Sequence, residues 1–170
     1  FIDNVIYSGK FKIEQNEFSF QRIKEVYENL SNGIISIEDN FEAENETLEI
    51  YNDKKVKVMS CKLSEFNADC NSASIIKGKC IITDSTIEIK KYCFWSGQCV
   101  NCDIGIIYET YKLNPKGVFE QVSKQDKTYI DENDEINFTK NEIMDFKTII
   151  SNFSMLTQKE KTKLISSISK

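Results

Sequence analysis

The spacing of apolar side chains changes twice along this chain. From Val5 to Ile13 strand-favouring residues alternate with polar ones and the alternation breaks at Ser8-Gly9, which predicts a strand with a bulge or bend. Phe20, Ile23, Val26, Tyr27 and Leu30 then recur at helical spacing after Ser19, and Gly33 stands where a left-handed helix terminus would fall. That stretch predicts an amphipathic N-terminal helix with its apolar stripe packed on a core.

Between Ile34 and Val122 the period falls to two. Short β-branched and aromatic runs, IISIE, LEIY, KVKVMSC, CII, TIEIK, IGIIYETY and GVFEQV, are separated by turn residues, the pattern of an antiparallel meander of five to seven strands. Thr83-Asp84-Ser85-Thr86 and Asn114-Pro115-Lys116-Gly117 read as hairpin turns, the second with Asx, Pro and Gly where a type I turn prefers them. Helical spacing returns at the C-terminal end. Thr139 and Glu142 form a capping box flanked by Phe138 and Ile143, with Phe146, Ile150 and Phe153 following on one face. A second box, Thr157 to Glu160, opens a shorter segment with Leu164, Ile165 and Ile168 inward and Lys159, Lys161, Lys163 and Lys170 suited to a solvated face.

A chain of 170 residues is long enough for one hydrophobic core, so residues 1–170 are expected to form one domain. No apolar run approaches the roughly eighteen residues of a membrane-crossing helix. The net charge of −5 offers no footprint for a nucleic-acid backbone. The chain opens at Phe1 without a basic segment leading into an apolar one, so no signal peptide stands in these residues, and the compartment must be argued from the cysteines.

All six cysteines, Cys61, Cys70, Cys80, Cys93, Cys99 and Cys102, fall within one stretch of the meander. An even, clustered set in a small domain favours disulfides and an oxidising compartment, periplasmic or extracellular. The expected fold is therefore α+β: a disulfide-stapled antiparallel β-sheet with an N-terminal helix and C-terminal helices packed on it. Which cysteines pair is open, because six allow fifteen connectivities.

The absence of histidine removes Ser-His-Asp and Cys-His nucleophilic sites and every mixed cysteine-histidine zinc finger. The isolated glycines form no phosphate-binding loop. Of the ten residues CFWSGQCVNC, from Cys93 to Cys102, three readings compete. A zinc ribbon needs two Cys-x-x-Cys knuckles and only Cys99 to Cys102 supplies one, although Cys80, Cys93, Cys99 and Cys102 could be assembled into an irregular four-cysteine site. A thiol-disulfide oxidoreductase would use Cys99 and Cys102, but Ser96 stands where the nucleophile of a thioredoxin-type Trp-Cys motif would be, and the following DIGIIYETY reads as a strand where a helix should activate the thiol. The third reading, a stapled loop displaying Phe94 and Trp95 as a binding edge, is preferred.

Two acidic clusters complete the picture. Six carboxylates and no basic residue lie between Glu38 and Glu49, including Glu42, Glu44 and Glu46, and Asp131, Glu132, Asp134 and Glu135 form the second group. Neither has the spacing of a calcium loop, and no metal or cofactor is expected. The function that remains is an exported, non-enzymatic binding protein of inhibitor or immunity type, meeting another, cationic protein through Phe94, Trp95, Glu42, Glu44 and Glu46. The alternative is the oxidoreductase using Cys99 and Cys102.

Overall fold

The computed structural model describes residues 2–27, 44–69, 72–97, 104–129, 138–153 and 156–168. Eight strands follow one another in order: β1 (Ile2–Ile13), β2 (Asn16–Tyr27), β3 (Glu44–Asn52), β4 (Lys57–Asp69), β5 (Ser72–Ile82), β6 (Thr86–Gly97), β7 (Ile104–Leu113) and β8 (Phe119–Tyr129). Every neighbour in sequence is a neighbour in one antiparallel sheet. Two short helices, α1 (Lys140–Asn152) and α2 (Gln158–Ile168), close the chain. Among the described residues no helix is long and apolar enough to cross a membrane.

Four parts of the sequence-based expectation are overturned. The molecule is a meander with a helical cover, not an α+β fold with helices at both ends. The stretch expected as an N-terminal helix is, as far as Tyr27, strand β2, in continuous register with β1 from Asn16 to Tyr27 and with β3 from Phe18 to Val26, while Leu30 and Gly33 lie outside the described residues. Its apolar residues satisfied a helical period by coincidence. The pairing of β2 on both sides, with Phe18 buried and Phe20 packed against the same core, outweighs that local signal. Nor is a staple formed among the described residues: no disulfide joins Cys61, Cys80 and Cys93, while Cys70, Cys99 and Cys102 lie outside the described residues. Two apolar cores and seven strand ladders hold the described part of the sheet, with no bridge among these three cysteines. Of the bulge or bend expected at Ser8-Gly9, the bulge is absent, since β1 pairs residue for residue from Ile2 to Ile13.

The sheet buries both faces. Along β6, Ile87 and Ile89 enter one core cluster while Tyr92 and Phe94 enter another, as alternation of side chains requires. The even-numbered face of β6 is covered by the helices: Phe146 meets Tyr92 edge-on at 5.1 Å and Phe153 meets Phe94 at 5.3 Å. The odd face rolls onto itself, so that Phe18 of β2 meets Phe119 of β8 at 5.0 Å. The Glu14 N–H in the β1–β2 turn also donates to the Asp84 carbonyl in the β5–β6 turn at 3.2 Å.

Strand β4 makes the roll possible. Its first part pairs with β3 and residues 65–69 pair with β5, with a register shift near Thr47 that lets it bend. At the bend the Leu63 backbone lies across Gly78, where a β-carbon would sit 2.1 Å from the Leu63 carbonyl oxygen. The ladder bond lost there is replaced by Ser64, whose buried Oγ accepts from the Gly78 N–H at 3.1 Å.

Two of the tight turns repeat one design. In Asn52-Asp53-Lys54-Lys55-Val56 the Asn52 Oδ1 accepts from the N–H groups of Lys54 and Val56, and in Asn114-Pro115-Lys116-Gly117-Val118 the Asn114 Oδ1 accepts from Lys116 and Val118. The fourth residue is left-handed in both, Lys55 at φ 63° and Gly117 at φ 80°. The expected turn at Asn114–Gly117 is therefore one of a matched pair.

Candidate functional site

The predicted interface residues do not gather on a surface. Phe94 is fully buried beneath α1 and α2. Trp95 is half-buried against the same core, with the Lys163 ammonium of α2 5.2 Å from its ring centre. Glu46 is only 2% exposed. Glu44 opens β3 opposite Val26, and Glu42 lies outside the described residues.

Glu46 instead belongs to a charged cluster inside the rolled sheet. Register places Arg22 and Lys24 of β2 on the same face as Glu46 and Leu48 of β3, and Arg22 Nε donates to one Glu46 oxygen while Lys24 lies 3.6 Å from the other. On the facing strands Lys91 of β6 donates to Glu109 of β7 at 3.3 Å, and the Tyr111 hydroxyl donates to the other Glu109 oxygen at 3.1 Å. Cys61 of β4 and Cys80 of β5 sit between the two groups: Lys91 and Glu109 act on Cys61, Arg22 and Glu46 on Cys80.

The electrostatics of this interior restrain reactivity. Burial pushes the Cys61 thiol up to about 12, with Lys91 offsetting part of the effect and Cys80 and Glu109 adding to it. Burial likewise pushes Cys80 up to about 11, against the opposing pull of Arg22. Both thiols are protonated at neutral pH and are therefore poor nucleophiles. Tyr111 is also raised, by burial and then by the neighbouring Glu109 carboxylate. The cluster locks charges of opposite sign across adjacent strands. Among the described residues no three histidine, cysteine, aspartate or glutamate side chains gather as a metal site.

A period-two reading would have found this cluster. Phe18, Phe20, Arg22 and Lys24 share one face of β2, and Glu46, Leu48 and Ile50 share one face of β3. The helical period assigned to residues 20–30 scattered Arg22 and Lys24 around a solvated helix and hid them.

A second feature arises from topology. Because the strands alternate direction, the tight turns after β1, β3, β5 and β7 mark one rim of the sheet. The connections after β2, β4, β6 and β8 start from the other. Those four connections, residues 28–43, 70–71, 98–103 and 130–137, contain nine carboxylates and no lysine or arginine. The first part of one acidic cluster, Glu38 to Glu42, and all of the other lie in connections that leave strands at this rim, the first leading from β2 to β3 and the second from β8 to α1.

Comparison with protein-family models, curated proteins and solved structures finds no match to this chain.

Proposed function

We propose that the protein is a non-enzymatic binding protein of inhibitor or immunity type, acting in the periplasm or outside the cell, whose acidic rim receives a cationic partner protein. The observation that carries this reading is the charge of the connections at one rim: nine carboxylates with no basic residue among them. Such a field steers an oppositely charged partner and raises its association rate. The inner face favours binding over chemistry, since its thiols are held protonated and its charges are already paired. The exported compartment is proposed on the clustering of the cysteines, where Cys70, Cys99 and Cys102, outside the described residues, are the ones left to pair.

Affinity capture from the secreted fraction of the source cells, followed by association kinetics, tests the reading. A basic protein should be recovered, and its association should slow as salt is raised, because exposed charges are screened beyond about 10 Å at 0.1 M. Charge reversal at Glu42, Asp131 and Glu132 should lower the on-rate by about tenfold at low salt. A partner whose binding ignores both salt and these substitutions would refute the acidic rim as its site. Disulfide-reductase turnover lost on Cys99→Ser would favour the oxidoreductase reading instead.

A further inference from the structure

Strand register brings two thiols together inside the roll. Cys61 of β4 stands opposite Leu48 of β3, and Cys80 of β5 stands opposite Ile89 of β6. The β4–β5 ladder runs from the Asp69–Ser72 pair to the Glu65–Ile76 pair. Continued in the same register through the crossing of Leu63 over Gly78, it sets Cys61 beside Cys80. Both side chains pack against the same apolar cluster, and the charge of Cys80 acts on Cys61. Leu48, Cys61, Cys80 and Ile89 thus form one row across the inner face, with the two thiols between buried aliphatic side chains.

Three properties of the row define what it can hold. Cys61 and Cys80 are each partly exposed, whereas Cys93, farther along β6, is buried, so a small solute reaches the pair from solvent. Among the described residues no third cysteine, histidine, aspartate or glutamate joins them as a ligand. Two sulfurs alone do not provide the four-donor shell of zinc or the oxygen shell of calcium or magnesium, and they suit a soft ion held by two thiolates in line. The surrounding charges match such a product. Arg22, Lys24 and Lys91 against Glu46 and Glu109 leave one positive charge, which offsets the negative charge of a cuprous bis-thiolate.

We propose that Cys61 and Cys80 form a two-coordinate site for a cuprous ion. The ion displaces the proton of each thiol, so that two Cu–S bonds form, two S–H bonds break and both protons leave to solvent, with no change in oxidation state. Burial makes these thiols poor nucleophiles but does not bar the exchange, because the metal takes the place of the proton at sulfur. The inference goes beyond the binding reading above and does not depend on it.

Anaerobic titration of the full chain with Cu(I), in competition with the chromophoric chelator bicinchoninate, tests it. Cys99 and Cys102 supply another sulfur pair, so uptake is compared between variants. Cys61→Ser and Cys80→Ser should each take up about one equivalent less than the native chain, the affinity of this site falling at least about a hundredfold, since losing a ligand costs more than losing a group that orients one. Cys93→Ser should take up as much as the native chain. In the unsubstituted protein the amide resonances of Cys61, Cys80, Leu48 and Ile89 should shift on copper addition, a readout that requires no variant to fold. Resonances that stay in place at these four residues, or full uptake by both Cys61→Ser and Cys80→Ser, overturn the site. Zinc held by the same two sulfurs as tightly as Cu(I) overturns the choice of ion.

Discussion

Cys61 and Cys80 show how one residue type changes role with its surroundings. Both thiols face the interior of the rolled sheet, and burial holds them near 12 and 11, above the ordinary value of 9. A group whose pKa is raised on folding contributes stability that is complete below its unfolded value and is lost as pH rises through the folded one. Stability should therefore decline from about pH 9 toward pH 12. The decline should be shallower in a Cys61→Ala, Cys80→Ala variant, as chemical denaturation across that range would show. At pH 8 both native thiols should resist alkylation that goes to completion in denaturant. Rapid labelling of the folded protein would contradict the burial argument.

At the scale of elements, the bend of β4 is the feature on which the roll depends. Gly78 has no room for a side chain because the Leu63 carbonyl occupies the space, and Ser64 satisfies the Gly78 N–H that the interrupted ladder leaves behind. Gly78→Ala should destabilise by about 3 kcal/mol, at the upper end of overpacking costs, since backbone and not a flexible side chain must yield. Ser64→Ala should cost about 1–3 kcal/mol by leaving a buried donor unpaired. Because both changes act on one contact, their effects should fail to add in a double-mutant cycle read by urea denaturation. Neither residue stood out in the sequence. A glycine inside a strand pattern signals a close approach in general, and only the fold says to what.

At the scale of the whole molecule, the helices are joined to the sheet by apolar rings and by a carboxylate seam. Glu142 caps α1 through the Thr139 N–H at 2.7 Å, accepts from the Tyr108 hydroxyl of β7, and pairs with Lys127 of β8 at 2.9 Å. Asp145 accepts from the Tyr92 hydroxyl at 2.7 Å. Burial alone would raise Glu142, but the bonds from Tyr108, Thr139 and Lys127 more than reverse it and hold the carboxyl at about 2, below its ordinary 4.5. Stability from this group is present above about pH 4.5 and is lost as pH falls toward 2, and the shift corresponds to about 3 kcal/mol at about 1.4 kcal/mol per pH unit. Glu142→Gln should therefore destabilise at pH 7 by a similar amount and lose most of that effect near pH 2. Denaturant unfolding at both pH values, read by tryptophan emission from Trp95 beside the helix core, would check this.

What the sequence determined by itself was local. The Thr139–Glu142 and Thr157–Glu160 boxes marked the starts of both helices, because capping is a bargain between residues three apart. The turns at Thr83–Thr86 and Asn114–Gly117 were legible for the same reason: their side-chain oxygens bond backbone groups within four residues. The alternating runs from β3 onward announced strands, though not that there would be eight. The tertiary structure decided whatever depends on partners distant in sequence. Residues 20–27 could satisfy a helical period or a strand period, and pairing with β1 and β3 selected the strand. Glu46 looked like part of a solvated acidic run until the register brought Arg22 and Lys24 to it and buried it. Phe94 looked like an interface ring until the helices covered it. Side-chain type records what a residue can do, whereas burial and charge pairing are set by which strands meet.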